Sequence, residues 1–348
     1  MKILLIQTAF IGDVILVTPL IHRLKEVYPL AMLDVMVKPQ CVGILENNGS
    51  INKIICFDKR SQSLNTFWKF IQRVKFEKYD ISISPHSSFR SGLIPFLAKI
   101  PKRIGFKRYF QQIFLTHKIV HPKNIHKRLK NLKLLDLLIH TNLTQQSYAD
   151  SFLNSTKTHL YPSLQNYQKA SLLLSSMTQN QKNIIMCPGS VWYTKRWNLQ
   201  NYICLTQKLI ANNFNIILSG SPSENEIINE ILDAVQCEKK QLTSIAGTFN
   251  ILDSAALFKK SDLVICNDSG ALHIANAMQI PVFAFFGPTV KNFGYYPFNK
   301  NDFVFEANLD CRPCSSHGGK KCPKKHFNCM NLISVDFVFQ KVLEFLSN

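Results

Sequence analysis

The chain reads as two rounds of short apolar runs alternating with segments of helical period. In the first half, apolar and β-branched runs at Ile3 to Gln7, Leu33 to Val37, Lys53 to Phe57 and Asp80 to Ser84 predict strands with helical patterns between them. The helix after the first strand is expected from about Val14 to Val27. Arg103 to Phe106 and Lys118 to Val120 predict two weaker strands. A polar stretch from Thr141 to Pro162 breaks the rhythm. It restarts with strands at Ile184 to Cys187, Phe214 to Ser219, Leu242 to Ile245, Leu263 to Cys266 and Val282 to Phe286, and a last helix is predicted over Ser334 to Leu346. Continuous apolar strands that alternate with helices belong in parallel sheets covered on both faces. The expected division is residues 1–160, residues 161–333, and a C-terminal helix over 334–348 that crosses back to the first half.

Size agrees with two cores. The chain has 348 residues, more than one core usually holds, and 46% apolar content is enough for both. It has no uncharged apolar stretch of about 18 residues, begins directly in a strand and carries no Ala-x-Ala-like cleavage site, so it is expected to be neither membrane-spanning nor exported. Charge changes the picture more: 41 Lys and Arg face 22 Asp and Glu, a formal net charge of +19. Such a surface implies an acidic partner, whether nucleic acid, an anionic membrane or a phosphorylated substrate. The basic residues crowd Arg90 to Lys133, interleaved with His86, His117, His121 and His126. No recognition helix, zinc finger or RNA-type pair of stacking aromatics accompanies them, so nucleic acid is not the expected partner.

Three strand-to-helix turns carry candidate chemistry. Leu263 to Cys266 runs into Asn267-Asp268-Ser269-Gly270 and then a helix, which places a carboxylate and free helical N–H groups at a strand's carboxyl end. Gly270, Ala271 and Leu272 there can hold a phosphate by backbone and dipole alone, with Asp268 beside it to accept hydroxyls. Asp268 or Ser269 serves equally as a plain N-cap. Ile184 to Cys187 runs into Pro188-Gly189-Ser190, followed by Thr194-Lys195-Arg196-Trp197, where small residues, hydroxyls and cations suit a phosphate. A solvated basic pair is the plainer reading. The first strand leads to Phe10-Ile11-Gly12-Asp13-Val14; one glycine is too few for the dinucleotide fingerprint, and Asp13 falls in a first helical turn, as a dipole-satisfying carboxylate or as a base facing a cleft.

At these residues the chain resembles the bacterial ADP-heptose:lipopolysaccharide heptosyltransferases, glycosyltransferase family 9, and most nearly the heptosyltransferase II type. The resemblance rests on the three turns above, on Arg103-Ile104-Gly105-Phe106, Ser219-Gly220-Ser221 with Glu224, His273, and Phe286-Gly287-Pro288-Thr289, in order along nearly the whole chain. It implies a GT-B α/β fold, two Rossmann-like parallel-sheet domains facing a cleft, and transfer of heptose with inversion from ADP-heptose to a Kdo- and heptose-bearing lipid A core. Asp13 is then the base. Lys195 with Gly189, Ser190, Thr194 and the helix start at Ser269 to Leu272 holds the diphosphate, Asp268 the heptose, Glu224 the ribose, and Thr248 and Phe249 the adenine. Gly12, Arg90, Arg103 and His126 are assigned to the acceptor, Arg196 to either phosphate or structure, and His273 to packing. No cofactor is expected, since Asp-x-Asp is absent. The resemblance places the protein in the cytoplasm, at the inner face of the inner membrane where its acceptor lies. A GT-B-like nucleotide-sugar epimerase, a glycosyltransferase of another nucleotide sugar and a non-enzymatic polyanion-binding module are the rival classes.

Ten cysteines divide in two. Cys41, Cys56, Cys187, Cys204, Cys237 and Cys266 lie in apolar patterns and read as small core residues. Cys311, Cys314, Cys322 and Cys329 lie in a Pro-, Gly- and Lys-rich loop, where they read as a structural zinc site, as disulfides or as free thiols; the second pair is spaced more widely than zinc ligands usually are.

Overall fold

Among the described residues, twelve strands, every pairing parallel, make up two six-stranded sheets with the same internal order. The computed structural model describes residues 1–58, 63–138, 156–235, 237 and 240–347, so most of the predicted polar break lies outside the described residues. The first sheet contains β1 (Lys2–Ile6), β2 (Met32–Val37), β3 (Lys53–Cys56), β4 (Ile81–Ser84), β5 (Lys102–Lys107) and β6 (His117–Val120), in the order β3-β2-β1-β4-β5-β6. The second contains β7 (Asn183–Cys187), β8 (Asn215–Leu218), β9 (Leu242–Ser244), β10 (Leu263–Asn267), β11 (Val282–Phe285) and β12 (Phe303–Phe305), in the order β12-β11-β10-β7-β8-β9. Counted within each half, both are 3-2-1-4-5-6. The chain divides into compact units Met1–Tyr161 and Pro162–Asn348.

The central strands are buried throughout: Ile3, Leu4, Leu5 and Ile6 of β1 and Leu263, Val264, Ile265 and Cys266 of β10 are all 0% exposed. This is why they read as unbroken apolar runs, and it sets their carboxyl ends as the places where polar residues first reach the surface of the fold. The strand order reverses beside β1 and β4 in the first unit and beside β7 and β10 in the second, the point where α/β sheets open for ligands.

Four expectations are corrected. The first helix is two, Ile11–Ile15 and Thr18–Val27, because Pro19 has no N–H to give Ile15 and its ring cannot follow that turn. The carbonyls this frees are taken up by side chains: Thr18 Oγ1 donates to Ile15 O at 2.8 Å and Asn131 Nδ2 to Leu16 O at 2.8 Å. Strand β12 was not anticipated, being three residues long after a loop. Cys56 is exposed rather than buried, since it ends the edge strand β3. The helix expected to cross back, formed over Val335–Ser347, places Val338, Val342 and Leu346 in the second unit's core with Ile184, Leu205 and Phe285.

Candidate functional site

In the second unit, the ends of β7 and β10 converge on one ion pair. Lys195 Nζ stands 2.6 Å from Asp268 Oδ2, with the two side chains only 13% and 8% exposed. Thr289 Oγ1 donates to the same oxygen at 2.7 Å. The preceding residue, Asn267, fixes the neighbouring turn: its Nδ2 donates to Pro188 O and Gly189 O at 2.8 and 3.2 Å, and its Oδ1 accepts from Trp197 N at 2.9 Å. Asn267 therefore ties the Gly189 loop and the Lys195 segment to β10, so that Asp268 and Lys195 meet by construction. Lys195 is not the exposed loop residue its surroundings in sequence imply.

The helix after Asp268, Gly270–Ala277, begins at Ser269 in an extended conformation, and no side chain caps it. Its first N–H groups and dipole thus face the end of β10 beside the ion pair. The plain N-cap reading of Asp268 and Ser269 does not hold, because Asp268 is engaged with Lys195 and Thr289 instead. Ser190 and Thr194 are buried. Arg196 Nε donates to Ser190 O at 2.8 Å, which assigns Arg196 to holding the turn.

Glu224 lies over Gly189. A Cβ at Gly189 would come 1.9 Å from Glu224 Oε1, so only glycine fits there with the carboxylate in place. Glu224 Oε2 accepts from Ser221 N at 2.7 Å and from Ser221 Oγ at 2.9 Å. Thr248 and Phe249 follow β9, the next strand outward; Lys169 Nζ donates to Thr248 O at 2.8 Å and stands 4.5 Å above the Phe249 ring. Expected donor residues from four separate segments are thus gathered along the carboxyl ends of β9, β8, β7 and β10. His273 is 4% exposed and meets Tyr295 edge to face, in keeping with packing.

In the first unit Asp13 is the third residue of its helix, partly exposed, with Phe10 N donating to its Oδ2 at 3.4 Å. The residue that sequence reasoning did not single out is Lys127. It is 8% exposed, its Nζ lies 5.7 Å from the Phe106 ring centroid, and burial draws its ammonium below the usual lysine range while Asp13 acts in the opposite sense. Asn131, on the same helix, holds Leu16 O and so brings Lys127 to the Asp13 segment. Lys130 is 6% exposed, and Arg108 lies close enough to act on both lysines. His121, its ring 4.9 Å from Phe106, is lowered to about 4 by burial first and then by Lys127, Arg108 and Lys130.

Of the residues expected to face an acceptor, Gly12 lies within the same helix as Asp13 and Arg90 is exposed. The other two are held in contacts of their own. Arg103 spends its guanidinium on Ile100 O and Phe114 O, both at 2.6 Å. His126 is 2% exposed and caps the helix Lys127–Leu132, accepting from Arg128 N at 3.3 Å.

The sequence leaves the four late cysteines open between a structural zinc site, disulfides and free thiols. Among the described residues no group of three or more His, Cys, Asp or Glu is arranged to hold a metal ion, and all ten cysteines are free thiols. Cys329 is 6% exposed in the second core, where burial pushes its thiol up to about 11. The loop instead braces the site. Thr194 N donates to Gly319 O at 3.1 Å and Gly319 N to Thr194 Oγ1 at 2.8 Å. Gly318, at φ +93°, packs where a Cβ would meet Trp192 Cβ at 2.8 Å and Lys195 Cγ at 3.2 Å.

Two Rossmann-like sheets of identical order, with a cation, a carboxylate and an uncapped helix start at the switch point of the second, define a GT-B glycosyltransferase. Residues 67–326 match the pattern of glycosyltransferase family 9 (heptosyltransferase), and the chain belongs to that family. It is 28% identical over 304 residues to lipopolysaccharide heptosyltransferase 2 of Salmonella typhimurium, covering 84% of each chain. Among solved structures it is similar to E. coli ADP-heptose lps heptosyltransferase II, with a TM-score of 0.82 at 24% identity over 100% of this chain and 99% of that one. It also resembles E. coli heptosyltransferase WaaC with ADP-2-deoxy-2-fluoro heptose, with a TM-score of 0.69 at 17% identity over 99% of each.

Proposed function

We propose that the protein transfers a heptose from ADP-heptose to the inner core of lipopolysaccharide. The observation that carries this reading is the Lys195–Asp268 pair at the uncapped start of Gly270–Ala277: one buried cation, one buried carboxylate and a row of N–H groups at the switch point of a sheet. A diphosphate takes the N–H groups and Lys195, with Ser190 and Thr194 beside it; Asp268, released from Lys195, accepts the sugar hydroxyls. Gly189 gives the backbone close approach. Glu224 receives the ribose, and the adenine lies along Thr248 and Phe249. Family membership and the relatives' names support heptose, ADP and a lipopolysaccharide core as sugar, nucleotide and acceptor.

The chemistry asks for a base on the acceptor hydroxyl and for stabilisation of the departing diphosphate. Asp13 takes the proton as the hydroxyl oxygen attacks the anomeric carbon from the face opposite the leaving group, which inverts that centre. The C–O bond to phosphate breaks, and its charge passes to Lys195 and the helix start. Arg90 and the Lys127–Lys130–Arg108 cluster supply positive charge to an acidic acceptor. The acceptor's lipid anchor brings the reaction to an anionic membrane surface inside the cell.

A nucleotide panel read by thermal shift tests the donor assignment. ADP and ADP-sugars are expected to raise the melting temperature more than UDP, GDP, CMP or their sugars, because a ligand that binds only the folded state stabilises it by mass action. A clear preference for UDP overturns it.

A further inference from the structure

The first unit carries an apolar surface rimmed by cations, and no step of transfer uses its apolar side chains. The segment Phe110–Phe114 lies on the helix Phe89–Leu97, its Gln111 buried so close that a Cβ at Gly92 would come 2.8 Å from Gln111 Cγ. Phe114 joins the two, its ring 5.3 Å from Phe89 and 5.4 Å from Phe96. This packing leaves apolar side chains outward: Phe89 is 52% exposed, Phe96 45%, Phe110 76% and Ile113 67%. Tyr109, 63% exposed at φ 52°, stands beside them under the Arg108 guanidinium, 4.6 Å from its ring. Isolated exposed apolar residues are ordinary, but several grouped on two packed elements mark a contact surface.

Charge identifies what it contacts. Between Asp80 and Asp136 the chain has 12 Lys and Arg and not one Asp or Glu. Arg90, Lys99, Lys107, Arg108 and Lys118 in that stretch are exposed. A second copy of the chain docking there by a two-fold axis would bring the same cations against each other, and a protein partner would need a large acidic face. An anionic bilayer answers both halves at once, with lipid phosphates for the cations and the acyl boundary for the rings.

We infer that the surface formed by Phe89–Leu97 and Phe110–Phe114 docks on an anionic lipid bilayer and inserts Phe110 and Ile113 into its interface. This deepens the membrane-surface reading above and names the face that meets the lipid.

The test uses the full chain and vesicles that contain no lipopolysaccharide: phosphatidylcholine with roughly 30 mol% phosphatidylglycerol, against phosphatidylcholine alone. Sedimentation is expected to show at least tenfold tighter binding to the anionic vesicles. Phe110→Ser with Ile113→Ser is expected to weaken that binding at least tenfold, with the melting temperature unchanged and transfer to a soluble, deacylated acceptor within about twofold of wild type. Equal binding of wild type and variant to anionic vesicles overturns the insertion, as does a wild type that dimerises without binding vesicles. A variant that loses transfer to the soluble acceptor reassigns the surface to the acceptor site and also overturns it. A wild type that binds vesicles but transfers no sugar leaves this surface standing and removes the proposed reaction instead.

Discussion

Lys195 Nζ and Asp268 Oδ2, 73 residues apart in sequence, stand 2.6 Å from each other at the end of β10, both largely withdrawn from water. A buried pair of this kind is costly to break from one side, because the remaining charge has lost its partner but not regained its hydration. If the pair also receives the donor, as proposed, stability and donor recognition are bound together. Lys195→Ala is expected to lower stability by about 1–3 kcal/mol and to weaken ADP binding at least tenfold. Lys195→Ala with Asp268→Asn is expected to regain part of the stability and none of the affinity, as read by denaturant titration and calorimetry. Full ADP affinity in Lys195→Ala removes that residue from the site.

Gly189 and Glu224 form a second coupled pair. Gly189→Ala must push the Glu224 carboxylate off its place and away from Ser221. We expect at least a tenfold loss of ADP affinity with the fold retained, since the atom displaced is the tip of a flexible side chain. In a Glu224→Ala background the same glycine change should add little, a non-additivity that a double-mutant cycle measures directly. Full additivity contradicts the contact.

The turn containing Asp268 was legible in sequence because every signal there agrees: an unbroken apolar strand, a carboxylate where it ends, a glycine and then a helical period. Lys195 was legible as a candidate but not as a buried residue, since its withdrawal from water depends on Asn267 and on Gly318 in a loop more than a hundred residues later. The double role of Pro19, ending one helix and starting the next, is a local signal that the apolar periodicity over Val14 to Val27 masked. Arg103 and His126 illustrate what composition leaves out. Both are polar residues in a basic stretch, and what they bond, two carbonyls and a helix start, is fixed by tertiary folding that composition does not report. Lys127 was hidden for the same reason: among twelve cations in that stretch, its burial beside Phe106 follows from how its helix is anchored through Asn131 to the break at Pro19.

Lys127 gives a prediction in which stability and activity move apart. Its ammonium is held below its ordinary range by burial, so at neutral pH the charged form costs folding free energy that a neutral side chain of similar length does not. Lys127→Met is expected to raise stability by about 0.5–2 kcal/mol while raising the acceptor KM and leaving ADP affinity unchanged. A destabilised variant with wild-type acceptor kinetics would make the residue purely structural.

His121 reports on the same cations. Its folded value, about 4, lies below the unfolded 6.5, so the unfolded chain binds the extra proton between them and this group's stabilisation is lost as pH falls from about 6.5 to about 4. NMR titration should find His121 neutral at pH 6, and Lys127→Met should move its midpoint upward. An unchanged midpoint would place Lys127 too far away to belong to the cluster.

Asp13 separates base from helix cap. Asp13→Asn keeps the shape and can still accept from Phe10 N, so stability should change by about 1 kcal/mol or less and ADP affinity should hold. If the carboxylate takes the acceptor proton, turnover should fall by roughly 10²- to 10⁴-fold. Near-wild-type turnover removes Asp13 from the mechanism and leaves His86, whose Nδ1 lies 3.3 Å from Thr8 Oγ1, as the next group to examine.

Transfer of heptose from ADP-heptose to a lipopolysaccharide core can be followed in a single assay. The protein is incubated with ADP-heptose and a Kdo-bearing lipid A acceptor, and both ADP release and acceptor mass are followed. One ADP is expected for each acceptor that gains one heptose, with no release when the acceptor is omitted and no UDP released when a UDP-sugar replaces ADP-heptose. ADP or free sugar appearing without acceptor, or an acceptor left unchanged at full donor occupancy, would contradict it.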